Sequence, residues 1–218
     1  MPQVSPMRWR DGSGWIILAS GMIDPSDPDS PSLDIAAQAL TRIARGEPLA
    51  YIWAAGDIES ADAHLDLLED LGAPTGFLLD ILTEDDDTIR AQLKDAGMII
   101  LGDGSNPDRL RSALVGAAQE AMINAFDRDC VILAIGAGAE ILGSILKSPT
   151  GKGLGWVDGA CILTDYTTQD GDTMRQMLQN APGAYGLGIG EGSALVLGPR
   201  GEVEVWGNQQ ITVTMSRT

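Results

Sequence analysis

Histidine, cysteine, aromatic residues and basic residues are all scarce in this chain of 218 residues. His64 is the one histidine, so sites that rely on imidazole as a base have a single candidate. Lys and Arg number 14 against 31 Asp and Glu, which gives a formal net charge of −17. Such a surface repels phosphate groups, which argues against a nucleic-acid binder and against binding to anionic membranes. It would instead attract cations, or peptides rich in Arg and Lys.

Long apolar runs are also missing. Runs such as residues 130–135 fall far short of the ~20 apolar residues that a membrane span needs. Residues 1–9 lack the apolar core of a signal peptide, so we expect a cytoplasmic protein. Cys130 and Cys161 each lie in an apolar, strand-like run. We therefore expect two buried thiols, and neither a disulfide nor zinc ligands.

Short apolar runs alternate with segments of helical period through the first two thirds of the chain. The predicted strands are residues 15–19, 49–54, 76–79, 98–101 and 131–135. Ser32 can cap a first predicted helix, whose apolar positions run from Ile35 to Ile43. The acids of residues 83–87 begin another, because a helix N-terminus favours negative charge. Further helices are predicted over residues 61–68, 108–126 and 140–146. A loop is predicted over residues 25–31. Strands separated by helices predict a mostly parallel sheet with helices on both faces.

The pattern changes after Gly151. Strand-like pieces at residues 159–163, 188–190, 194–197, 203–206 and 211–215 surround one helix near residues 173–178. These pieces predict an antiparallel edge added to the parallel sheet. The sequence thus predicts one α/β domain over residues 1–218, in three layers.

An abrupt strand-to-helix turn follows the strand at residues 131–135. It reads Gly136-Ala137-Gly138-Ala139, and its small residues let the helix start pack tightly against the strand. A nucleophile elbow uses this geometry to hold a Ser or Cys in a strained turn, with the next backbone N–H facing a developing oxyanion. An ordinary strand–helix turn, which needs small residues only for packing, is an alternative interpretation of the same sequence.

Ordered motifs across most of the chain, roughly residues 14–215, resemble the cyanophycinase and peptidase E family of serine peptidases. The matching segments are G-S-N-P at 104–107, R-L-R-S-A-L at 109–114, A-I-G-A-G-A at 134–139, G-L-G at 153–155 followed by Val157, G-I-G-E-G-S-A-L at 188–195, and the closing segment 207–213. The resemblance implies a flavodoxin-like, class I glutamine amidotransferase-like fold. It also implies a peptide as ancestral ligand, because such enzymes act on β-linked Asp-Arg polymer or on short Asp-containing peptides.

The chain departs from that family at the catalytic positions. The serine nucleophile aligns with Gly136, the catalytic histidine with Asp165, and only the acid keeps its type, as Glu191. By the same resemblance, Gly104, Ser105, Asn106 and Ala137 are the expected oxyanion and ligand-binding positions. Glycine has no side chain to attack a carbonyl, and an aspartate with an ordinary pKa near ~4 is a poor base. Losing a triad nucleophile costs roughly a million-fold in kcat.

Other residues are weak substitutes for the missing nucleophile and base. His64 is predicted in mid-helix far upstream, and Cys130 lies at the opposite end of its strand from Gly136. Cys161 reads as a buried strand residue. Ser193 and Ser105 lie in loops that could approach the cleft, but without a nearby histidine neither has a base.

Asp165 and Glu191 are expected to lie together, with Asp103 or Asn106 at the rim. Two close carboxylates favour a bound cation, which would be a guanidinium, an amine or a metal ion. Alternatively both acids are hydrogen-bonded to backbone or face water. We predict no cofactor and no resident metal.

Three functions follow. The first is a non-catalytic binding or regulatory protein for a cationic or Asp/Arg-containing peptide. The second is a hydrolase with a relocated nucleophile. The third is another enzyme that uses the paired acids, with or without a metal. Strands at 203–206 and 211–215 are edge candidates, and the resemblance implies a homodimer.

Overall fold

The computed structural model describes residues 7–21, 30–44, 46–148 and 151–216. Its helices are α1 Pro31–Leu40, α2 Ile58–Asp70, α3 Asp86–Lys94, α4 Pro107–Leu114, α5 Ala117–Phe126, α6 Ala137–Leu142 and α7 Gly171–Leu178. Its strands are β1 Arg8–Trp9, β2 Ile16–Ala19, β3 Leu49–Ile52, β4 Gly76–Leu79, β5 Met98–Leu101, β6 Val131–Ile135, β7 Gly143–Ile145, β8 Val157–Thr164, β9 Tyr185–Ile189, β10 Ser193–Leu197, β11 Val203–Gly207 and β12 Ile211–Met215. Most of the predicted loop at 25–31 and residues 1–6 lie outside the described residues.

The larger sheet has seven strands in the order β11-β10-β2-β6-β5-β3-β4. Strands β2, β6, β5, β3 and β4 run parallel, and their residues form near-continuous apolar runs because a parallel sheet is covered on both faces. Strands β10 and β11 add antiparallel to the β2 side. The predicted parallel sheet and its antiparallel edge are present here, so this sheet is mixed.

A second sheet of five strands was not predicted. It has the order β1-β8-β9-β12, with β7 paired to β8. Strands β8 and β9 are parallel to each other, whereas β12 is antiparallel to β9. The prediction of one sheet was wrong for these strands, because a strand pattern does not reveal which partner a strand pairs with. Strands β11 and β12 each lie at the end of a sheet.

The core fills both faces of the larger sheet, because alternate residues of each strand point to opposite sides. On one face, Ile17 and Tyr51 pack with residues of α1 and α2, among them Ala39 and Leu68. On the other face, Leu18 packs in a cluster that includes α3 to α6 and strands β8 and β9. The second sheet is therefore joined to the first through a shared apolar core.

Two helix predictions need correction. The helix predicted over residues 108–126 is two helices, because Val115 is extended and Gly116 takes φ 117°, outside the helical region. The helix predicted over 140–146 begins earlier, at Ala137, and ends at Leu142, where the chain turns into β7.

The predicted cap of the first helix also differs. Ser32 lies inside α1, and the residue before the helix, Ser30, makes no side-chain capping bond. Pro31 at the first position starts the helix instead, because its fixed φ suits that position and its missing N–H is not needed there. Among the described residues, no helix combines the length and the apolar character needed to cross a membrane.

Candidate functional site

The turn at Gly136 joins β6 directly to α6 at the carboxyl edge of the larger sheet. Gly136 has φ 52° and ψ −117°, a conformation that residues with a side chain rarely adopt. Two residues later, a β-carbon on Gly138 would lie 2.2 Å from the backbone oxygen of Leu101. Small residues are therefore required at this turn, and its strained backbone is the geometry of an elbow.

Asp103 occupies the space in front of Gly136. A β-carbon added to Gly136 would lie 2.0 Å from Asp103 Oδ1, so the carboxylate lies where a side chain at position 136 would begin. Asp103 follows β5, which is parallel to β6, so both residues are at the same edge of the sheet. In this structure the aspartate fills the space that a side chain at position 136 would need.

The same carboxylate accepts hydrogen bonds from two backbone N–H groups, at two of the positions expected from the resemblance to bind an oxyanion or ligand. Asp103 Oδ1 takes the N–H of Ala137 at 2.8 Å and the N–H of Gly104 at 2.7 Å. Ala137 follows the elbow residue, and in a nucleophile elbow the N–H at that position faces the oxyanion. A carboxylate bound to two backbone N–H groups satisfies both donors, so neither is available to a substrate.

Asp165 lies directly after β8 in the second sheet. It has φ 48°, a left-handed conformation that is uncommon for a residue other than glycine. Its Oδ1 accepts the N–H of Gly21 at 3.1 Å. Partial burial and the nearby charges of Asp103 and Glu191 raise the pKa of its carboxyl, while the Gly21 bond acts in the opposite direction.

Glu191 lies in the turn between β9 and β10 and is exposed. Asn208 Nδ2 donates to its backbone oxygen at 3.1 Å. Asp103, Asp165 and Glu191 all line one open cleft of about 540 Å³. The pair expected from the sequence is thus brought together, and Asp103 is a third carboxylate rather than a rim residue.

The remaining predicted ligand positions have structural contacts. Asn106 Oδ1 accepts the N–H of Arg109 at 3.0 Å and so caps α4. Gly104 packs against the loop after β3, where a β-carbon would lie 2.2 Å from the oxygen of Ala55. Ser105 and Asn106 are exposed, and neither is among the described residues that line the cleft.

Two solved structures match most of the chain. The first is a crystal structure of a peptidase from an acI-B1 Actinobacterium, with TM-score 0.74 and 17% identity over 94% of this chain and 92% of that one. The second, from Listeria monocytogenes EGD-e and provisionally named peptidase E, has TM-score 0.68 and 19% identity over 89% of this chain and 98% of that one. The chain has the fold of these peptidases. The resemblance expected from the motifs is confirmed at the level of the peptidase E-like fold.

Sequence comparison adds nothing to this result. No protein-family model matches the chain, and no curated protein matches it either.

Within this peptidase E-like fold, the alternative nucleophiles are all buried or lack a base. Burial raises the pKa of the Cys130 and Cys161 thiols to about 12, so both are protonated at neutral pH. Ser193 is fully buried and its Oγ accepts the N–H of Gln210. His64 is buried, and across the described residues its one hydrogen-bond partner is Tyr51, so it activates no serine or cysteine.

Glu140 is a further acid close enough to Asp103 to interact with it electrostatically, and no motif in the sequence pointed to it. It lies in α6, and its Oε1 accepts long hydrogen bonds from the N–H and Oγ1 of Thr164, the residue before Asp165. Burial, more than the neighbouring charge of Asp103, raises the pKa of its carboxyl. In the part of the chain that the structure describes, no group of three or more His, Cys, Asp or Glu side chains is arranged to hold a metal ion.

Proposed function

We propose that this chain is a non-catalytic relative of the cyanophycinase and peptidase E serine peptidases, which binds cationic groups in its acidic cleft. The observation that carries the proposal is the position of Asp103, which stands in front of a glycine elbow and takes both backbone donors. A hydrolase would need a nucleophile at that point and free donors for the oxyanion. Both requirements are unmet in this arrangement.

The charge of the cleft indicates the kind of ligand. Asp103, Asp165 and Glu191 line it, and the whole chain has a net charge of −17. The raised pKa of Asp165 means that its ionised form is held at a cost, which a bound cation would offset. A guanidinium or ammonium group of a peptide supplies that charge together with several hydrogen-bond donors.

We also propose that residues 1–218 form one domain with three flavodoxin-like layers. Helices α1 and α2 pack on one face of the larger sheet and α3 to α6 on the other, which supports this arrangement. The homodimer remains a prediction.

Labelling by a fluorophosphonate probe tests the loss of catalysis. We expect the native protein to remain unlabelled and to leave Asp-containing dipeptides intact. A variant with Gly136→Ser, Asp165→His and Asp103→Ala restores the nucleophile and the base and removes the blocking carboxylate, so it is the positive comparison. Covalent labelling of the native protein would contradict the proposal.

Calorimetry with arginine amide and citrulline amide tests the binding. The two ligands have almost the same shape, but the citrulline side chain is neutral, so a preference for arginine amide reports the charge. Asp165→Asn and Glu191→Gln should each weaken binding about 2- to 5-fold. Glu69→Gln, at an exposed acid of α2 outside the cleft, is the matched control and should have no effect. Both amides are used with an acetylated α-amine, so the guanidinium is the one charge that distinguishes them, and equal binding of the two would reject a cation site.

A further inference from the structure

His64 has an unusual environment for the one histidine of the chain. It lies in α2, is 3% exposed, and faces the core of the larger sheet. Its Nδ1 lies 3.2 Å from Tyr51 Oη, and the two rings meet edge to face. Its Nε2 is fully buried, and no described residue makes a hydrogen bond to it. A buried polar atom without a partner costs roughly 1–3 kcal/mol, so this nitrogen needs a partner that the described residues do not supply.

A small cavity adjoins this histidine and the acidic cleft. The cavity has a volume of about 20 Å³, and His64 lines it together with Ser20, Gly21 and Ser32. Those three residues also line the cleft of Asp103, Asp165 and Glu191. The cavity therefore lies next to the cleft, at the point where Gly21 N–H bonds Asp165.

The size and lining of the cavity limit what it can hold. About 20 Å³ is room for one group of the size of a water molecule, because such a group needs roughly 10–15 Å³. Ile35, Leu133 and Ile135 form its apolar walls, so a charged group would be strongly disfavoured there.

The histidine itself is neutral in this place. Burial lowers the pKa of the imidazole to about 4, so at neutral pH one ring nitrogen donates a hydrogen bond and the other accepts one. A hydroxyl group can act in either role and therefore fits both tautomers of the ring. An ammonium group, which only donates, fits one tautomer and brings a charge into an apolar site.

We propose that this cavity is a second binding subsite, in which His64 Nε2 hydrogen-bonds a hydroxyl of the same ligand whose cationic group lies against Asp165 and Glu191. The ligand class is therefore a hydroxyl-bearing amine or guanidine. This inference rests on the proposed cation-binding function of the cleft. It makes His64 a residue that determines specificity, with Tyr51 as the positioning residue that holds its ring.

Histidine-selective nitrogen NMR tests the subsite directly, because every imidazole signal in the spectrum belongs to His64. The probes are linear amino alcohols of increasing chain length, each paired with the n-alkylamine of equal length. At least one amino alcohol should bind about 2- to 10-fold more tightly than its paired alkylamine, which is the usual value of one hydrogen bond. It should also shift the Nε2 signal at saturation, whereas the alkylamine should not.

The double variant Tyr51→Phe with His64→Phe provides the matched comparison. It removes both members of a buried hydrogen bond at once, which avoids leaving an unpaired hydroxyl in the core. In this variant the amino alcohols should lose their advantage over the alkylamines. If the variant does not fold, the comparison of paired ligands on the native protein still decides the question.

The two proposals fail in different ways. If amines and amino alcohols bind equally well in the whole series and the His64 signal does not move, the cleft binds cations but the subsite is rejected. If neither kind of ligand binds and arginine amide does not bind, the cation-binding function is rejected and the subsite with it. An Nε2 shift by both ligand types would also overturn the inference, because the hydroxyl would then be irrelevant.

Discussion

Asp103 and Gly136 are coupled, because the carboxylate of one fills the side-chain space of the other. A β-carbon at position 136 would contact Asp103 Oδ1 at 2.0 Å and would also have to accept φ 52°. The first cost depends on Asp103 and the second does not. Two substitutions can therefore separate steric exclusion from backbone strain.

We predict that Gly136→Ala lowers the free energy of unfolding by about 2–5 kcal/mol, because the added β-carbon clashes with the Asp103 carboxylate and alanine disfavours the positive φ. In an Asp103→Ala background the same change should cost about 1–2 kcal/mol, because only the backbone strain remains. Urea unfolding of the four proteins measures this double-mutant cycle, and we expect an interaction energy of at least about 1 kcal/mol.

Gly151 offers a control with a similar backbone and open space. Its φ is 63°, and among the described residues no atom beyond its chain neighbours lies within 4 Å of an added β-carbon. Gly151→Ala should cost only the strain of the positive φ, about 1–2 kcal/mol, whatever residue is at position 103. Additive effects at 136 and 103 would show that the carboxylate moves aside easily.

Glu140 gives a prediction about pH. Burial raises the pKa of its carboxyl in the folded protein above the ordinary value of 4.5, so the folded state binds more protons than the unfolded chain in the window above that value. This contribution favours folding at low pH and is lost as pH rises through the folded pKa. Near neutral pH the buried carboxyl is ionised, and its charge destabilises the folded state. Glutamine carries no charge, so we expect Glu140→Gln to have a higher free energy of unfolding than the native chain near neutral pH.

Urea unfolding at a series of pH values from about 4 to neutral measures this effect, as the difference between the two proteins. Glutamine keeps an oxygen that can accept the bonds from Thr164, so the comparison isolates the charge. Glu69→Gln is a suitable control because Glu69 is exposed. A difference between native and Glu140→Gln proteins that does not change with pH would contradict the prediction.

At the scale of elements, the break between α4 and α5 shows the limit of reading a helix from periodicity. Leu110, Leu114, Ala118 and Met122 are all buried, so the apolar pattern continues across the break. Val115 is nevertheless extended and 55% exposed, and Gly116 has φ 117° and ψ −132°. One helix therefore ends before Gly116 and a second begins after it, although the apolar pattern is continuous.

We predict that Gly116→Ala destabilises the protein by about 1–3 kcal/mol, because that backbone conformation is nearly restricted to glycine. In the described part of the chain, no atom beyond the neighbouring residues lies within 4 Å of the added β-carbon, so the cost comes from the backbone alone. Val115→Ala, at the exposed neighbouring residue, should change the free energy of unfolding by less than about 0.5 kcal/mol. If Gly116→Ala were neutral or stabilising, the two helices would be able to join.

The whole molecule carries a large negative net charge. A net charge of −17 opposes the compact state by self-repulsion and attracts cations to the cleft. Added salt screens both interactions. Stability and ligand affinity should therefore respond to salt in opposite directions.

We predict that raising NaCl from about 10 mM to about 0.15 M increases the free energy of unfolding in urea and weakens the binding of arginine amide. Citrulline amide, which is neutral in its side chain, should show a smaller change. Affinity for arginine amide that is independent of salt would contradict an electrostatic site.

The sequence by itself determined the elements of the parallel sheet, the turn at Gly136 and the absence of a serine and a histidine at positions 136 and 165. These follow from local patterns, because apolar runs, small residues at a sharp turn and a missing side chain need no knowledge of distant contacts. It also placed Asp165 and Glu191 together, through ordered motifs at the ends of two strands.

Tertiary structure alone decided the second sheet, the position of Asp103 in the elbow and the cavity at His64. Each of these depends on which distant segments meet: β8 pairs with β7 and β9 rather than with the larger sheet, and Asp103 reaches Ala137 across 34 positions of the chain. Local patterns carry no information on such pairings, because the same apolar pattern is compatible with several different strand partners. Packing of the shared core selects one arrangement, and with it the chemistry of the cleft.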